Sequence, residues 1–168
     1  MNTGIEPEKG WTVEGGIGLN FKGLAKFDSN VYYMRIDNEI MSYFIPPLTS
    51  VTENLDPIDR RGTNIGINLT PIKYVELDLD YGFVNAVFTE GDYEHNYVPL
   101  VPEQSLSASI MLHTPFGLSF GPNILCKDEF YSALDNENAQ KTIESSMIWG
   151  FHARYTTQKI TLRMCMCL

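Results

Sequence analysis

The chain has 168 residues, room for one domain, and carries 21 acidic against 12 basic side chains for a formal net charge of −9. That surplus excludes a nucleic-acid binder, which needs a basic footprint to neutralise phosphates. An aromatic content of 12% is too high for a disordered acidic chain.

The first residues, through Lys9, lack the apolar core of a secretion signal, so no signal peptide is read there. From Trp11 onward the dominant period is two, the mark of a strand with unlike faces. Trp11, Val13, Ile17 and Leu19 oppose Thr12, Glu14, Gly16, Gly18 and Asn20. Leu24 to Met41 follows, with Phe27, Val31 and Tyr33 against Lys26, Asp28 and Asn30. Ile65, Ile67 and Leu69 oppose Asn64, Gly66 and Asn68. The clearest alternation runs from Tyr74 to Phe83, where Val75, Leu77, Leu79, Tyr81 and Phe83 face away from Glu76, Asp78 and Asp80. Leu106, Ala108, Ile110 and Leu112 then oppose Ser105, Ser107, Ser109 and His113. Three more strands complete the series. Leu118, Phe120 and Ile124 mark one, expected to run from Leu118 to Tyr131; Met147, Trp149, Phe151, Ala153 and Tyr155 the next; Ile160, Leu162, Met164 and Met166 the last.

Tight turns are predicted at Phe21–Leu24, Thr70–Lys73, Thr114–Gly117 and Thr156–Lys159. Long polar links alternate with them, at Ser42–Pro57, Glu90–Glu103 and Ala133–Glu144. Short turns at one end and long loops at the other is the asymmetry of an outer-membrane barrel. The run Gln104–Cys126 is uncharged but contains Pro115, Pro122 and four serines, so it is no membrane-spanning helix. The expected fold is therefore all-β: an antiparallel up-and-down meander of about eight long strands, part of a transmembrane outer-membrane β-barrel. Residues 1–168 form one barrel segment. Val75, Leu77, Leu79, Tyr81, Ile110, Leu112, Phe120, Trp149, Phe151 and Leu162 should share the lipid-facing side. Glu76, Asp78, Asp80, Ser107, Ser109, Asn123, His152 and Arg154 should share the inner wall.

Little in the chain reads as catalysis. Glu76-x-Asp78-x-Asp80-x-Gly82 mimics the start of a calcium loop, but the interleaved Val75, Leu77 and Leu79 make it a strand with an acidic stripe. Gly15-Gly16-Ile17-Gly18 precedes a hairpin, not a helix, and is no dinucleotide fingerprint. Cys165 and Cys167 share one strand face and could offer two soft donors, too few for a metal centre on their own. No Ser/His/Asp set is readable. The expectation is a non-enzyme with no resident cofactor or metal.

Four ordered segments resemble the carboxy-terminal part of the barrel of TonB-dependent outer-membrane receptors. They are Pro7-Glu8-Lys9-Gly10-Trp11 with Glu14 and Gly15; Tyr32-Tyr33-Met34-Arg35-Ile36-Asp37-Asn38-Glu39-Ile40; Asn54-Leu55-Asp56-Pro57-Ile58-Asp59-Arg60-Arg61-Gly62; and Val98-Pro99-Leu100-Val101-Pro102 before Leu106. The resemblance implies uptake of a siderophore, cobalamin or other nutrient. It also implies outer-membrane lipid as surroundings and, as partners, the remainder of a barrel of about 22 strands and its plug. Cargo, such as a metal chelate, would meet Tyr43, Tyr93, His95, Tyr97 and Tyr131 near the outer strand ends. With eight strands and no plug read here, the chain resembles an internal slice of such a receptor, in the outer membrane of a Gram-negative-type bacterium. Two alternatives stay open at this point. One is an autonomous eight-stranded outer-membrane barrel with a structural or adhesion role. The other is a soluble β-barrel that binds a small ligand with its apolar faces turned inward.

Overall fold

A computed structural model describes residues 4–45, 49–133, 135–157 and 161–167. These residues contain ten strands and no helix. The strands are β1 (Lys9–Phe21), β2 (Ala25–Asp37), β3 (Ile40–Ile45), β4 (Thr49–Asn54), β5 (Ile58–Ile72), β6 (Val75–Phe88), β7 (Gln104–His113), β8 (Leu118–Lys127), β9 (Ser146–Thr156) and β10 (Thr161–Cys167). Eight of them form one antiparallel sheet in the order β1-β2-β5-β6-β7-β8-β9-β10, and β3 and β4 form a separate hairpin. The sheet is open, because β1 and β10 stand at opposite edges of that order. A closed eight-stranded barrel would have paired them.

The register places like with like across the whole sheet. Following cross-strand partners from Leu19 gives Phe27, Ile67, Leu79, Ala108, Ile124 and Trp149, a wholly apolar row. Shifting one residue along β1 gives Asn20, Lys26, Asn68, Asp78, Ser109, Asn123 and Gly150, a row with no apolar side chain except glycine's hydrogen. The side-chain period of a strand is two, so these two rows lie on opposite faces. The ten residues expected on one face and the eight expected on the other all keep that parity. None of the apolar set is buried: Leu79, Ile110, Leu112, Trp149, Phe151 and Leu162 are exposed, Trp149 at 53%, and Val75, Leu77, Tyr81 and Phe120 are half-buried. A soluble barrel with an apolar interior would bury it, whereas lipid is the solvent that suits an apolar outside and a polar inside.

Three local expectations are corrected. The link Ser42–Pro57 is not an irregular loop: β2 breaks at Asn38, where φ is +59°, and the chain then builds the β3–β4 hairpin. The turn expected at Thr70–Lys73 lies at Lys73–Tyr74, because β5 continues to Ile72 across a register shift between Leu69 and Ile72. Pro71 has no N–H for the ladder, so it marks an irregularity in the strand and not its end. The strand expected from Leu118 to Tyr131 ends at Lys127. The turns at Lys22–Leu24 and Pro115–Gly117 stand as expected; in the first, three residues connect the paired Phe21 and Ala25, with φ of +42° at Lys22 and +78° at Gly23. Gln158 and Lys159 of the last turn, and Ile160 beyond it, lie outside the described residues.

At the long-loop end the two faces exchange character without exchanging parity. On the inner side, Ile58 and Phe88 are both fully buried and pack with Leu55, Ala86 and Val98. Residues 89–103 fold back over this cluster. Val98 N donates to Ala86 O at 3.0 Å, Phe88 N to Asn96 O at 3.0 Å, and His95 N to Phe88 O at 2.9 Å. On the outer side of the same rows stand Arg35 and Asp59, cross-strand partners 3.7 Å apart by their side chains.

The segment Asn54–Gly62 joins these parts. Asn54 accepts from Glu6 N at 2.8 Å and donates to Glu6 O at 2.9 Å and Asn38 O at 2.8 Å, tying the approach to β1 to the base of the hairpin. Pro57 O receives Thr89 N at 2.9 Å, and Asp59 accepts from Tyr33 Oη. Arg60 meets Glu39 at 2.8 Å, and Arg61 Nε donates to Asn85 at 3.1 Å. Gly62 lies under the Tyr32 ring, where a Cβ would stand 2.3 Å from Phe83 O and 2.7 Å from Tyr32 Oη. No other residue fits there without moving the strand, and the ring covers the gap that glycine leaves.

Candidate functional site

Two concave regions carry chemistry. The first is at the long-loop end. The β3–β4 hairpin sets Tyr43 beside Glu53, and the phenol donates to the carboxylate at 3.0 Å. That bond holds the Tyr43 hydroxyl above its ordinary pKa, with desolvation adding to the effect. Tyr93 is positioned from below by the apolar cluster, its ring 5.8 Å from that of Phe88. From the other side comes the loop 128–145. Asp135, 3% exposed, organises it by accepting from Ala139 N at 2.9 Å and Gln140 N at 3.0 Å. The two loops are stitched together: Asn96 donates to Asn136 O at 2.9 Å, and Asn138 takes Tyr97 N at 2.6 Å while giving a hydrogen bond to Tyr97 O at 3.0 Å. Between hairpin and loops lies a pocket of about 300 Å³, lined by Tyr43, Glu53, Tyr93, Asp135, Asn136, Glu137 and Gln140. Two phenols and a surplus of carboxylate give it hydrogen-bonding capacity and negative potential.

Of the five residues expected to meet cargo, the structure brings two together here, Tyr43 and Tyr93. Tyr97 and Tyr131 form a separate stacked pair, with centroids 6.3 Å apart, beside a smaller cavity that also contains Glu103 and Glu129. His95 stands outside both, its side chain 87% exposed and 3.7 Å from Glu94. Glu53 and Gln140 were not singled out by sequence. Glu53 sits in a polar link where no period distinguishes one carboxylate from another. A hairpin prediction for that link would have found it.

The second region is the inner wall. A trough of about 570 Å³ runs across it, with Gly16, Gly18, Gly66 and Gly82 among its lining residues together with Asp28, Asn30, Asn64, Asp80, Ser105 and Ser107. Toward the short turns the acidic stripe is a hydrogen-bonded network. Asn68 donates to Glu76 at 3.1 Å and to Asp78 at 2.6 Å, Ser109 donates to Asp78 at 3.3 Å, and His113 bridges Glu76 at 3.2 Å and Ser119 at 2.9 Å. Glu76-x-Asp78-x-Asp80 is thus a strand, as expected, and not a metal loop. Among the described residues no three of His, Cys, Asp or Glu assemble as a ligand set. Cys165 stands opposite His152 on the inner face, and the Cys167 side chain lies outside the described residues.

An open sheet with an apolar outer face, a polar inner face, short turns at one end and folded loops at the other defines a segment of a transmembrane β-barrel. A family profile, TonB dependent receptor-like, beta-barrel, matches residues 1–164, and the chain belongs to that family. Solved structures agree on the fold. The copper transporter OprC superposes with a TM-score of 0.73 at 12% identity, over 96% of this chain and 25% of that one. The ferric citrate transporter FecA in its unliganded form gives 0.73 at 20% identity, over 95% and 26%. The ferric yersiniabactin uptake receptor FyuA from Yersinia pestis gives 0.71 at 16%, over 94% and 24%. The chain therefore spans about a quarter of the length of these receptors. No curated protein sequence matches it.

Proposed function

We propose that this chain is the part of a nutrient receptor, in the outer membrane of a Gram-negative-type bacterium, that supplies a lipid-facing wall and one side of the cargo mouth. Its role is transport, not catalysis. The remainder of the barrel and a plug would complete it as a single segment, 1–168, of a larger receptor. The observation that carries this reading is the membership of the barrel family together with the pocket built by Tyr43, Glu53 and Tyr93 at the mouth. The cargo would be a metal chelate, the class named for several structural neighbours. Carboxylates in the pocket favour a chelate that presents amines or hydroxyls over one rimmed with free carboxylates, since like charges repel at close range. Tyr97, Tyr131 and His95 would meet cargo at the periphery.

The test is binding and uptake by the receptor that carries this segment. Removing both rings, Tyr43→Ala with Tyr93→Ala, is expected to weaken chelate binding by about tenfold or more, because two aromatic contacts are lost at once. Expressed alone, the chain is expected not to restore growth on a scarce nutrient. Restored, energised growth would overturn the reading.

A further inference from the structure

The cysteine at the middle of the last strand gains company in the folded sheet. Cys165 stands directly opposite His152 on the inner face, and Gly121 stands opposite His152 on its other side. Beyond Gly121 lies Met111, the partner of Glu76, in the register set by the β7–β8 pairs Ser109–Asn123 and Leu112–Phe120. Partners across a ladder point to one side, so the whole row belongs to the inner face. At Gly121 the row has a gap: a Cβ there would overlap Ile110 O and stand 3.3 Å from Met111 Cα, so only glycine fits. The flexible Met111 side chain and the His152 ring thus stand on either side of a position that holds no side chain. Met111, His152 and Cys165 line one recess of about 420 Å³ toward the short turns.

The hard donors of this recess are already engaged. Glu76 Oε1 accepts from Asn68 at 3.1 Å and Oε2 meets His113 at 3.2 Å, while Asp78 Oδ1 accepts from Asn68 at 2.6 Å and Oδ2 from Ser109 at 3.3 Å. The His152 ring has no hydrogen-bond partner among the described residues. The donors that remain are a thioether, an imidazole and a thiol. Thioether and thiolate sulfur select soft ions such as Cu(I), whereas Zn(II) sites are built from thiolate, imidazole and carboxylate. Charge narrows the choice further. Arg154 and Arg163 are cross-strand partners in the same recess, and neither has a carboxylate within ion-pair distance among the described residues. Two guanidiniums repel a dication, whereas a monovalent ion on a thiolate adds no net charge.

We propose that Met111, His152 and Cys165 bind one soft monovalent metal ion, Cu(I), on the inner wall. The site is separate from the mouth pocket and does not depend on which cargo that pocket takes.

The experiment uses the receptor that carries this segment, purified in detergent, with heat-modifiable gel migration to report folding. Cu(I) is maintained by ascorbate and buffered by excess bicinchoninate, which leaves too little free ion to load an isolated thiol. Alkylation of Cys165 by iodoacetamide is timed by peptide mass spectrometry. In the wild type, buffered Cu(I) is expected to slow that alkylation, and Zn(II) to leave its rate unchanged. His152→Gln and Met111→Leu should each weaken the protection by about tenfold or more, since losing even a group that only supports a ligand has that effect on metal affinity. Cys126, on the outer face, should react at one rate with and without the ion. Unslowed alkylation of Cys165 in the folded wild type overturns the site without needing any variant to fold. Equal slowing at Cys126 means that isolated thiols take the ion, and overturns it too. Protection by Zn(II) as strong as by Cu(I) overturns the monovalent assignment. Protection that survives both His152→Gln and Met111→Leu leaves a site of Cys165 and Cys167 alone, and overturns the three-donor set.

Discussion

The band between the turns and the cap at the long-loop end use one register and opposite chemistry. In the band, even a central residue such as Trp149 is more than half exposed, and order comes from the ladder and from like-with-like rows. In the cap the same inward parity carries Ile58 and Phe88, both buried completely beneath a folded loop. The difference shows that parity alone does not fix polarity. The solvent on each side does: lipid outside and water inside along the band, water outside and a protein loop inside at the cap.

That contrast can be broken most severely at Phe88. Phe88→Ala should cost about 3–5 kcal/mol, because it empties a packed site that no lipid can refill. Chemical unfolding of the barrel in detergent would measure it, and a loss below about 1 kcal/mol would mean the cap is not a core. Next comes a pair of neighbours on β6. Leu79→Arg on the lipid side should cost about 2–4 kcal/mol, while Asp80→Arg on the inner wall should stay within about 0.5 kcal/mol. Comparable losses for the two would show that the faces are misassigned. Asn54→Ala should cost about 1–3 kcal/mol by leaving Glu6 and Asn38 backbone groups short of partners, and should raise hydrogen exchange in the hairpin more than in the band.

The smallest effect concerns Tyr43. Glu53 raises its phenol's pKa, so the contribution of that bond is complete below the ordinary phenol range near about 10 and fades only as pH climbs through the raised value. Ultraviolet titration should show the late-ionising phenol amplitude fall by one tyrosine in Tyr43→Phe. An unchanged late amplitude would place the raised group elsewhere.

The band was legible in the sequence because period two is a local signal, and residues such as Leu77, Asp78 and Leu79 state it without reference to any partner. The β3–β4 hairpin was not, since a hairpin above the bilayer has water around it and need not alternate. Pro71 misled for a related reason: proline is a turn former by composition, and only the register shows that it interrupts a strand that continues to Ile72. At the mouth, the tyrosines were identifiable as a region but not as a group. Which of them meet depends on side-chain-to-backbone bonds made by Asn96, Asp135 and Asn138, and such bonds leave no periodic trace.

The open order of the sheet has a consequence for assembly. In polymer terms the sheet is a bifunctional unit, with one reactive side along β1 and another along β10. A unit of that kind can be a link in a ring or a growing chain, but it cannot terminate either. Within hydrocarbon each unpaired backbone group costs several kcal/mol, so both sides demand a neighbour before the sheet can rest in a bilayer. Kept apart from the rest of a ring, the same sides would meet each other on different copies, and the product would be an aggregate whose size grows with concentration.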